Sequence, residues 1–465
     1  MLKFSPFTEK SVKKIQKYTK ISPYRVCDLS AGVLYMWNDV YNLSYAIYNE
    51  TLILKTNFKN KLTAFFMPIG KDIDGAFSQI ESYVTENHIP LKFTCVEDEW
   101  IPYFETRYNG KIKYSYNRDF SDYLYDYQSL KTLVGKKFSG QRNHINGFKK
   151  TYQNYEFLKL SIKDKDDINA FLKEYKKEHR GGGRIEKAEL ENTKKLVNNL
   201  NLLDFVGGIM KIDGKFCSFT VGEYVGDTLV IHIEKALKNY KGIYPTTFNE
   251  FLKLCEREGI NYINREDDSG DLGLRTSKTQ YQPIKLINKN FVEVEKPMQI
   301  KTHPVLQGEK VILSKITEED KENYYKLYTN KTLNKYWGYD YTKDIKTPSL
   351  DAFFNLQKND FKIKDNMCLA VRKKGSGEFV GEVVLHNFTY DKKVEVGVRI
   401  LKKYQNQKFG SDAVKTLCKY VVEKLKLQPV AKCYLQNASS LKSLQNSGFI
   451  VKNADKKFYY LNFLT

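Results

Sequence analysis

The chain has 465 residues, of which 41% are apolar and 14% aromatic. It is therefore too long for one hydrophobic core and too apolar for a disordered or fibrous protein. Lys and Arg number 76 against 55 Asp and Glu, a net charge of +21, which favours an anionic partner such as RNA, an acidic lipid surface or a phosphorylated cofactor, although a lysine-rich surface that serves solubility explains it equally well.

The first third of the chain has few distinctive patterns. Its N-terminus, MLKFSPFTEK, lacks the apolar core of a signal peptide, and no apolar run approaches the roughly 18 residues of a membrane span. We therefore expect a soluble, cytoplasmic protein without a transmembrane segment. Residues 131–150 form a basic stretch with six Lys and Arg, and a weak domain break is expected near residues 128–160.

A similar order of elements occurs on both sides of residues 297–310, a segment with two prolines that we predict to be a linker. Before it, residues 207–224 predict a strand, an Asp-Gly turn and a second strand. A β-rich run, a basic turn, a helix and another strand follow. After the linker, residues 368–385 begin the same order. The similarity predicts related modules in the two halves of the chain.

The C-terminal copy contains a strand-to-helix turn at YQNQKFGSDAV, residues 404–414. The first amides of such a helix have no partner within it, and with the helix dipole they attract anions. Gly410 would let the backbone approach phosphate oxygens closely. The turn is therefore a candidate phosphate cradle. Apolar residues at helical spacing predict that the following helix is buried on one face: Val414, Leu417, Cys418, Val421 and Leu425.

Residues 305–465 resemble the GNAT acetyltransferase family, specifically the branch that acetylates ribosomal-protein N-termini and similar amines. The family's coenzyme A loop follows Gln/Arg-x-x-Gly-x-Gly/Ala, which this chain matches from Gln405 with a lysine at the first glycine. VEVGVRI (394–400) is similar to the splayed strand that pairs with pantetheine, and NASSLKSLQNSGF (437–449) to the family's Asn-x-x-Ser stretch. The resemblance implies acetyl-coenzyme A as cofactor, with Val398, Ile400, Gln405, Lys408, Phe409, Gly410 and Ser411 as binding residues.

The lysine in the loop has two interpretations. The Lys408 side chain blocks the pyrophosphate, or its amide stays in the cradle with a negative φ while its ammonium adds a cation beside the phosphates. We favour retained coenzyme A binding.

N-acetyl transfer needs a base for the acceptor ammonium and an acid for the leaving thiolate. Glu395 and Glu382, on adjacent predicted strands, are candidate bases, directly or through water. Ser440 or Tyr434 is the candidate acid, and Asn437 a candidate contact to the acceptor or a water. Each glutamate also fits an ordinary solvated strand position, and such reactions can proceed by proximity alone.

Residues 20–290 resemble the C-terminal catalytic domain of phosphatidylglycerol lysyltransferases and their soluble relatives of unknown function. In that family two acetyltransferase-like units are fused and the donor is an aminoacyl-tRNA. The resemblance rests on GQRN (140–143), HIEK (232–235), GIYP (242–245), NRED (264–267) and the lysine before YQP (281–283). It implies a second site that contains Arg142, Asn143, His232, Glu234, Lys235, Tyr244, Asn264, Arg265, Glu266, Asp267 and Lys278.

The second site has its own open alternatives. Its cations suit an anionic aminoacylated donor and its acids suit an amine, but the same charges could form a buried structural network. Pro245 removes an amide from the helix start, so coenzyme A is not expected here. The expected acceptor is an amine-bearing small molecule, peptide or lipid head group, with tRNA binding and peripheral membrane contact left open.

Metal binding is not expected. Asp267, Asp268 and Asp271 lack the spacing and the twelfth-position glutamate of a calcium loop. The seven cysteines show no CxxC spacing, which argues against a disulfide framework and a cysteine-based zinc site.

These patterns predict an α/β protein of three acetyltransferase-like (GNAT) modules, the first two fused in tandem and the third separate. Residues 1–145 would be a degenerate module, 146–296 a module of the phosphatidylglycerol lysyltransferase type, and 305–465 the N-acetyltransferase. The expected function is acetyl-coenzyme A-dependent N-acyl transfer coupled to an aminoacyl-tRNA-dependent domain. In the competing hypothesis, the N-terminal unit is a non-catalytic module that binds tRNA, the ribosome or an anionic surface.

Overall fold

The computed structural model describes residues 2–58, 62–178, 184–338, 341 and 345–464. The chain divides into two compact units. Unit 1 comprises the residues up to Ile80 together with Pro90–Glu295, and unit 2 comprises Glu81–Ile89 together with Lys296–Thr465. Within the described ranges, none of the helices has the length and apolar character needed to cross a bilayer.

The elements before residue 296 supply two sheets. The helices are α1 (Glu9–Thr19), α2 (Ala31–Met36), α3 (Asn38–Tyr41), α4 (Ile73–Glu86), α5 (Ile101–Arg107), α6 (Tyr127–Thr132), α7 (Ser139–Thr151), α8 (Lys165–Glu178), α9 (Arg184–Val197), α10 (Ile243–Leu254) and α11 (Leu272–Gln280). The strands are β1 (Ser5–Pro6), β2 (Ser44–Tyr48), β3 (Thr51–Phe58), β4 (Leu62–Phe65), β5 (Ile69–Gly70), β6 (Lys92–Val96), β7 (Ile112–Ser115), β8 (Asp122–Asp126), β9 (Tyr155–Lys159), β10 (Val206–Ile212), β11 (Lys215–Val225), β12 (Thr228–Ala236), β13 (Tyr262–Asn264), β14 (Lys285–Ile287) and β15 (Asn290–Val294).

Unit 2 contains the third sheet and the helices that cover it. The helices are α12 (Lys321–Thr329), α13 (Lys331–Asn334), α14 (Leu350–Lys362), α15 (Phe409–Tyr420) and α16 (Ala438–Asn446). The strands are β16 (Leu306–Gln307), β17 (Val311–Ser314), β18 (Met367–Lys373), β19 (Phe379–His386), β20 (Lys393–Ile400), β21 (Gln428–Tyr434), β22 (Phe449–Ala454) and β23 (Phe458–Phe463).

Unit 1 interlocks its two sheets by exchanging strands. The first sheet has the order β1-β2-β3-β4-β6-β15-β7, with β5 beside β3, and the second has the order β14-β8-β13-β12-β11-β10-β9. Strand β8 lies early in the chain yet pairs with β13 and β14, whereas β15 lies after the second sheet's elements yet pairs with β6 and β7. A cut at residue 145 therefore does not separate the two sheets.

The unit 2 sheet has the order β16-β17-β18-β19-β20-β21-β23-β22. Helix α15 connects the parallel strands β20 and β21, as α10 connects the parallel strands β12 and β13 in unit 1. The apolar face of α15 packs into the core of unit 2, where Val414, Leu417, Cys418 and Val421 are buried. This packing fixes the position of the helix start against the sheet.

Both parallel pairs separate after three residue pairs. Strand β20 pairs with β21 only from Lys393 to Glu395, and β12 pairs with β13 only from Thr228 to Val230. Strand β13 ends at Asn264, shortly before Glu266, whose φ of 58° turns the chain out of extended geometry. Each half of the molecule therefore has a gap between two parallel strands, with a helix start nearby.

Two candidate functional sites

The start of α15 presents a row of unpaired backbone amides. Lys408 caps the helix in the left-handed conformation (φ 68°, ψ 7°), and Asn406 two residues earlier is also left-handed (φ 61°). Within the described part of the chain, no acceptor takes the N–H of Lys408, Phe409, Gly410 or Ser411, and the first helical bond is donated by Asp412 to the Lys408 carbonyl at 3.1 Å. Free amides at a helix start are the arrangement with which proteins bind anions.

Lys408 differs from expectation in its backbone. The sequence interpretation assumed a negative φ, but the observed φ of 68° lies in the region that favours glycine. A lysine thus occupies a backbone conformation that a glycine adopts without strain. The Lys408 side chain is exposed and forms no hydrogen bond or ion pair with the described residues, so its ammonium is available to a ligand.

Gly410 keeps the space between the helix start and β20 open. A Cβ at this position would lie 3.3 Å from Ile400 Cγ1 and 3.9 Å from Val398 Cγ2. Among the residues that the structure describes, none pairs with the β20 backbone beyond Glu395 on its β21 side. Gln405 donates its side-chain N–H to the Ile400 carbonyl at 3.0 Å, which ties the loop to the end of the strand. The structure thus brings together all seven predicted cofactor-binding residues.

A carboxylate in the first turn of α15 holds the neighbouring chain instead of a ligand. Asp412 accepts hydrogen bonds from the backbone N–H groups of Glu309, Lys310 and Val311 at 3.2, 2.7 and 3.1 Å. A Cβ on Gly308 would lie 2.7 Å from the Asp412 carboxylate. The negative charge is therefore directed towards these amides and satisfied by them.

The two predicted bases of unit 2 lie in different environments. Glu382 is fully buried in an ion pair with Arg399, whose Nη1 donates to Asn334 Oδ1 at 2.6 Å and whose guanidinium stacks between two aromatic rings. This pairing holds Glu382 inside the sheet, away from a substrate. Glu395 is half-buried at the point where β20 and β21 separate, and accepts a hydrogen bond from Asn387 at 2.9 Å.

The other predicted catalytic residues lie on β21 and at the start of α16. Tyr434 is at the end of β21, with its ring 4.5 Å from that of Phe458. Asn437 caps α16 by accepting the Ser440 N–H at 3.2 Å. Among the described residues, no hydrogen bond joins Glu395 to Tyr434, Asn437 or Ser440. The candidate base and the candidate acids therefore do not contact one another through a direct hydrogen bond.

In unit 1 the strand gap is crossed by two side-chain pairs. His232 on β12 lies 2.8 Å through Nδ1 from Glu266 Oε1, and Arg265 donates through Nε and Nη2 to Glu234 Oε2 at 3.0 and 2.8 Å. The Arg265 guanidinium lies 4.3 Å from the Phe248 ring, and its Nη1 is buried without a partner. Burial opposes its charge, but Glu234 raises the pKa of Arg265.

Lys278 supports the segment that carries these groups. From α11 its ammonium donates to the Arg265 carbonyl at 2.6 Å and to the Asp267 carbonyl. Burial and the nearby Arg265 charge lower the pKa of Lys278. Asn264 on β13 also supports this segment, because its Oδ1 accepts the Glu266 N–H at 2.6 Å.

The remaining second-site predictions lie elsewhere. Arg142 donates to the Leu133 and Gly135 carbonyls, and Asn143 is exposed on α7. Lys235 pairs with Glu189 at 2.5 Å, and Tyr244 donates to the Ala236 carbonyl at 3.3 Å. The described contacts do not connect these four residues to the His232–Glu266 pair.

Sequence reasoning missed a buried lysine that lies among acids. Lys289 Nζ is 2.7 Å from both Asp28 and Asp122, 3.3 Å from Asp267 and 3.2 Å from Cys27 Sγ. Burial opposes its charge, but the carboxylates raise the pKa of Lys289 well above the ordinary range. Cys27, Asp28 and Asp122 are close enough to hold a metal, but the ammonium already supplies the cation there. Apart from the adjacent Cys27 and Asp28, these groups come from different segments, so local spacing gave no signal.

The chain matches two families of known domains. Residues 19–292 match the phosphatidylglycerol lysyltransferase C-terminal family, and residues 310–450 match the GNAT acetyltransferase domain. Both matches are to domains of transferase type. In sequence, 206 residues are 26% identical to an uncharacterized protein of Mycoplasmoides gallisepticum, covering 43% of this chain and 63% of that protein. A further 163 residues are 21% identical to the uncharacterized N-acetyltransferase YoaA of Bacillus subtilis, covering 34% of this chain and 90% of YoaA.

A solved structure supports the fold of the longer segment. A conserved protein of unknown function from Bacteroides thetaiotaomicron superposes with a TM-score of 0.59 at 28% identity, covering 63% of this chain and all of that protein. The first family match takes in more than half of the chain. The chain therefore belongs to the phosphatidylglycerol lysyltransferase C-terminal family, and it carries a GNAT acetyltransferase domain after the family's own segment.

Proposed function

We propose that unit 2 transfers an acyl group, acetyl being the expected one, from coenzyme A to the nitrogen of an amine. The observation that carries this proposal is the row of unpaired amides from Lys408 to Ser411 beside the open edge of β20. Three or four amides at one helix start suit the oxygens of a pyrophosphate. The space that the missing Cβ of Gly410 leaves towards Ile400 supports the fit.

The residues of this chain would then act as follows. The amides of the loop hold the phosphates, and the free ammonium of Lys408 adds a charge-assisted contact. The unpaired backbone of β20 beyond Glu395 offers hydrogen bonds to an extended ligand. Coenzyme A would supply an activated thioester, which lowers the demand on the protein to proximity and proton transfer.

Glu395 is the proposed base for the acceptor. It lies at the strand fork and is held by Asn387, so it can take a proton from an ammonium directly or through one water. Tyr434 or Ser440 would return a proton to the thiolate, and Asn437 would orient the acceptor. Glu382 no longer belongs among the candidate bases because Arg399 holds it inside the sheet.

The test is calorimetry of the full chain with coenzyme A, followed by release of free thiol from acetyl-coenzyme A in the presence of amines. The panel contains a polyamine, a short peptide with a free N-terminus and an amine-bearing lipid head group. Saturable binding and thiol release with one amine class are expected. Absence of coenzyme A binding would overturn the proposal.

For unit 1 we propose aminoacyl transfer from an aminoacyl-tRNA, on the basis of its family and the charged groups that cross its strand gap. The alternative is a binding module without catalysis that recruits tRNA, the ribosome or an anionic surface, including a membrane. Both predict binding of tRNA that weakens with salt. Transfer from an aminoacylated RNA minihelix to an amine is expected only from the first, so its absence alongside stable binding favours the second. The division into three GNAT modules stays a prediction.

A further inference from the structure

A buried group of three titratable side chains lies behind the strand gap of unit 1. His232 on β12 is 3.0 Å through Nε2 from Glu223 Oε1 on β11, and 2.8 Å through Nδ1 from Glu266 Oε1. The Gly32 N–H donates to the same Glu223 oxygen at 2.5 Å. The side chains of His232 and Glu223 are 0% and 1% exposed, whereas Glu266 is 25% exposed. Glu266 is thus the member that reaches solvent.

Two features of this group carry a free-energy cost. Glu223 Oε2 is buried and has no hydrogen-bond partner among the described residues, which is costly for a carboxylate oxygen. Glu266 has a left-handed φ of 58°, a conformation that costs energy for a residue with a side chain and that clusters at functional sites.

Three contacts hold Glu266 in this strained conformation. Its N–H donates to Asn264 Oδ1 at 2.6 Å, and its carbonyl accepts the Tyr123 N–H at 3.1 Å. Lys278 fixes the residues on either side through the Arg265 and Asp267 carbonyls. The backbone around Glu266 is therefore fixed from β8, β13 and α11, and its side chain is directed at His232.

The neighbourhood sets the protonation of the group. Burial opposes a charge on the imidazole, but the hydrogen bonds with Glu223 and Glu266 raise the pKa of His232 to about 9. Burial raises the pKa of Glu266, and His232 and Lys278 act against that rise. Asp122 adds a like charge. At neutral pH the imidazolium is therefore positive, and the solvent-facing carboxylate has a pKa closer to neutrality than a free one, as a general base requires.

We propose that Glu266 is the proton acceptor for an amine that attacks an acyl ester in unit 1, with His232 and Glu223 as positioning residues behind it. An ammonium gives one proton to the Glu266 carboxylate. The amine nitrogen forms a bond to the ester carbonyl carbon, and the carbon–oxygen bond to the alcohol breaks. A second proton from the attacking nitrogen goes to the leaving oxygen, so the products are an amide, an alcohol and a protonated Glu266 that loses its proton to solvent.

This inference rests on the aminoacyl transfer proposed for unit 1. The test uses the full chain, an aminoacylated RNA minihelix as ester and n-butylamine as nucleophile, with rates measured from pH 6 to 10. Glu266→Gln is expected to slow transfer at least about 100-fold, the scale of general-base catalysis, and Glu266→Asp to restore part of the rate. Glu223→Gln is expected to move the pH profile more than the maximal rate. Glu258→Gln, an exposed carboxylate of the same unit, is the matched control.

Nuclear magnetic resonance of protein labelled with ¹⁵N-histidine gives a second readout that does not need turnover. The His232 resonance is identified by its loss in His232→Gln, and it should report an imidazolium up to about pH 9. Glu266→Gln and Glu223→Gln should each lower the midpoint of this titration. An inert wild-type protein overturns both this inference and the aminoacyl transfer beneath it. An active protein that retains its rate in Glu266→Gln, or a His232 midpoint that neither variant moves, overturns this inference alone.

Discussion

The starts of α15 and α10 have nearly the same backbone conformation, but their capping residues differ. Lys408 caps one at φ 68°, ψ 7°, and Gly242 caps the other at φ 83°, ψ 4°. Gly242 caps α10, whose first turn does not present a row of free amides, whereas Lys408 caps α15, where four described amides are free. In α10 the Ile243 N–H already donates to the Tyr240 carbonyl at 3.2 Å, and Pro245 has no N–H. The turn conformation therefore does not make an anion site; unpaired donors do.

The two strand gaps also differ in whether side chains cross them. In unit 2 the edge of β20 beyond the fork is open, because Arg399 turns back to Glu382 on β19. In unit 1 the corresponding space is crossed by the His232–Glu266 and Glu234–Arg265 pairs. The proposed binding of an extended ligand to the strand edge is therefore made for unit 2 alone. One strand–helix–strand arrangement thus occurs twice with different side chains in its gap, and the two functions proposed above follow from that difference.

The largest expected effect is at the cradle itself. Gly410→Val should weaken coenzyme A binding at least about 100-fold, because its branches fill the space towards Ile400 and remove two or more charge-assisted contacts. Gly410→Ala, whose Cβ has 3.3 Å to Ile400 Cγ1, should bind with a smaller loss. Calorimetry of both variants measures the difference. Equal affinity in Gly410→Val and wild type would show that α15 is not the cofactor site.

The second prediction concerns how the unit 1 site changes the free energy of unfolding with pH. The hydrogen bonds that raise the pKa of His232 from 6.5 to about 9 stabilise the fold fully below pH 6.5 and less as pH rises through 9. The shift corresponds to about 3 kcal/mol. His232→Gln should therefore lower the free energy of unfolding in urea most at pH 6 and least above pH 9. His144→Gln, an exposed histidine on α7, is the control, and a loss that does not vary with pH would contradict the assignment.

Much of the cradle could be predicted from sequence because its residues are contiguous. The apolar stripe of α15 required only spacing, and the motif from Gln405 to Gly410 came from the resemblance to the GNAT family. The positive φ of Lys408 was not predictable, since nothing in a lysine signals that conformation. The Glu382–Arg399 pair depends on the register of β19 against β20, which the sequence does not specify to one residue.

The site residues of unit 1 were harder to predict from sequence because pairings between distant strands bring them together. The exchange of β8 and β15 between sheets brings together segments more than 130 residues apart, which no local pattern records. Lys289 and its three carboxylates come together in this way. Glu223 did leave a signal, a single acid in the otherwise apolar strand FTVGEYV. A carboxylate at such a position is buried and needs a partner, and here that partner is His232.

A smaller effect is expected from Lys408→Gly. Loss of the ammonium should weaken coenzyme A about tenfold, the equivalent of one charge-assisted contact. The same change should stabilise the folded protein by about 1 kcal/mol, because glycine adopts a φ of 68° without strain. Calorimetry and urea unfolding on one preparation test both signs. Tighter binding by the glycine variant would mean that the lysine obstructs the cradle.

The smallest expected effect is at the start of α10. This prediction tests whether Pro245 alone prevents coenzyme A binding there. Pro245→Ala, tested in a Gly410→Val background that silences the other site, should gain no coenzyme A binding. The restored N–H is one donor, while the Ile243 N–H stays bonded to Tyr240. The His144 carbonyl also lies 2.6 Å from where a Cβ on Gly242 would be, so a backbone acceptor faces the turn and repels an anion. Calorimetric heat above that of Gly410→Val alone would show that a single proline, rather than the covering helix α7, separates the two turns.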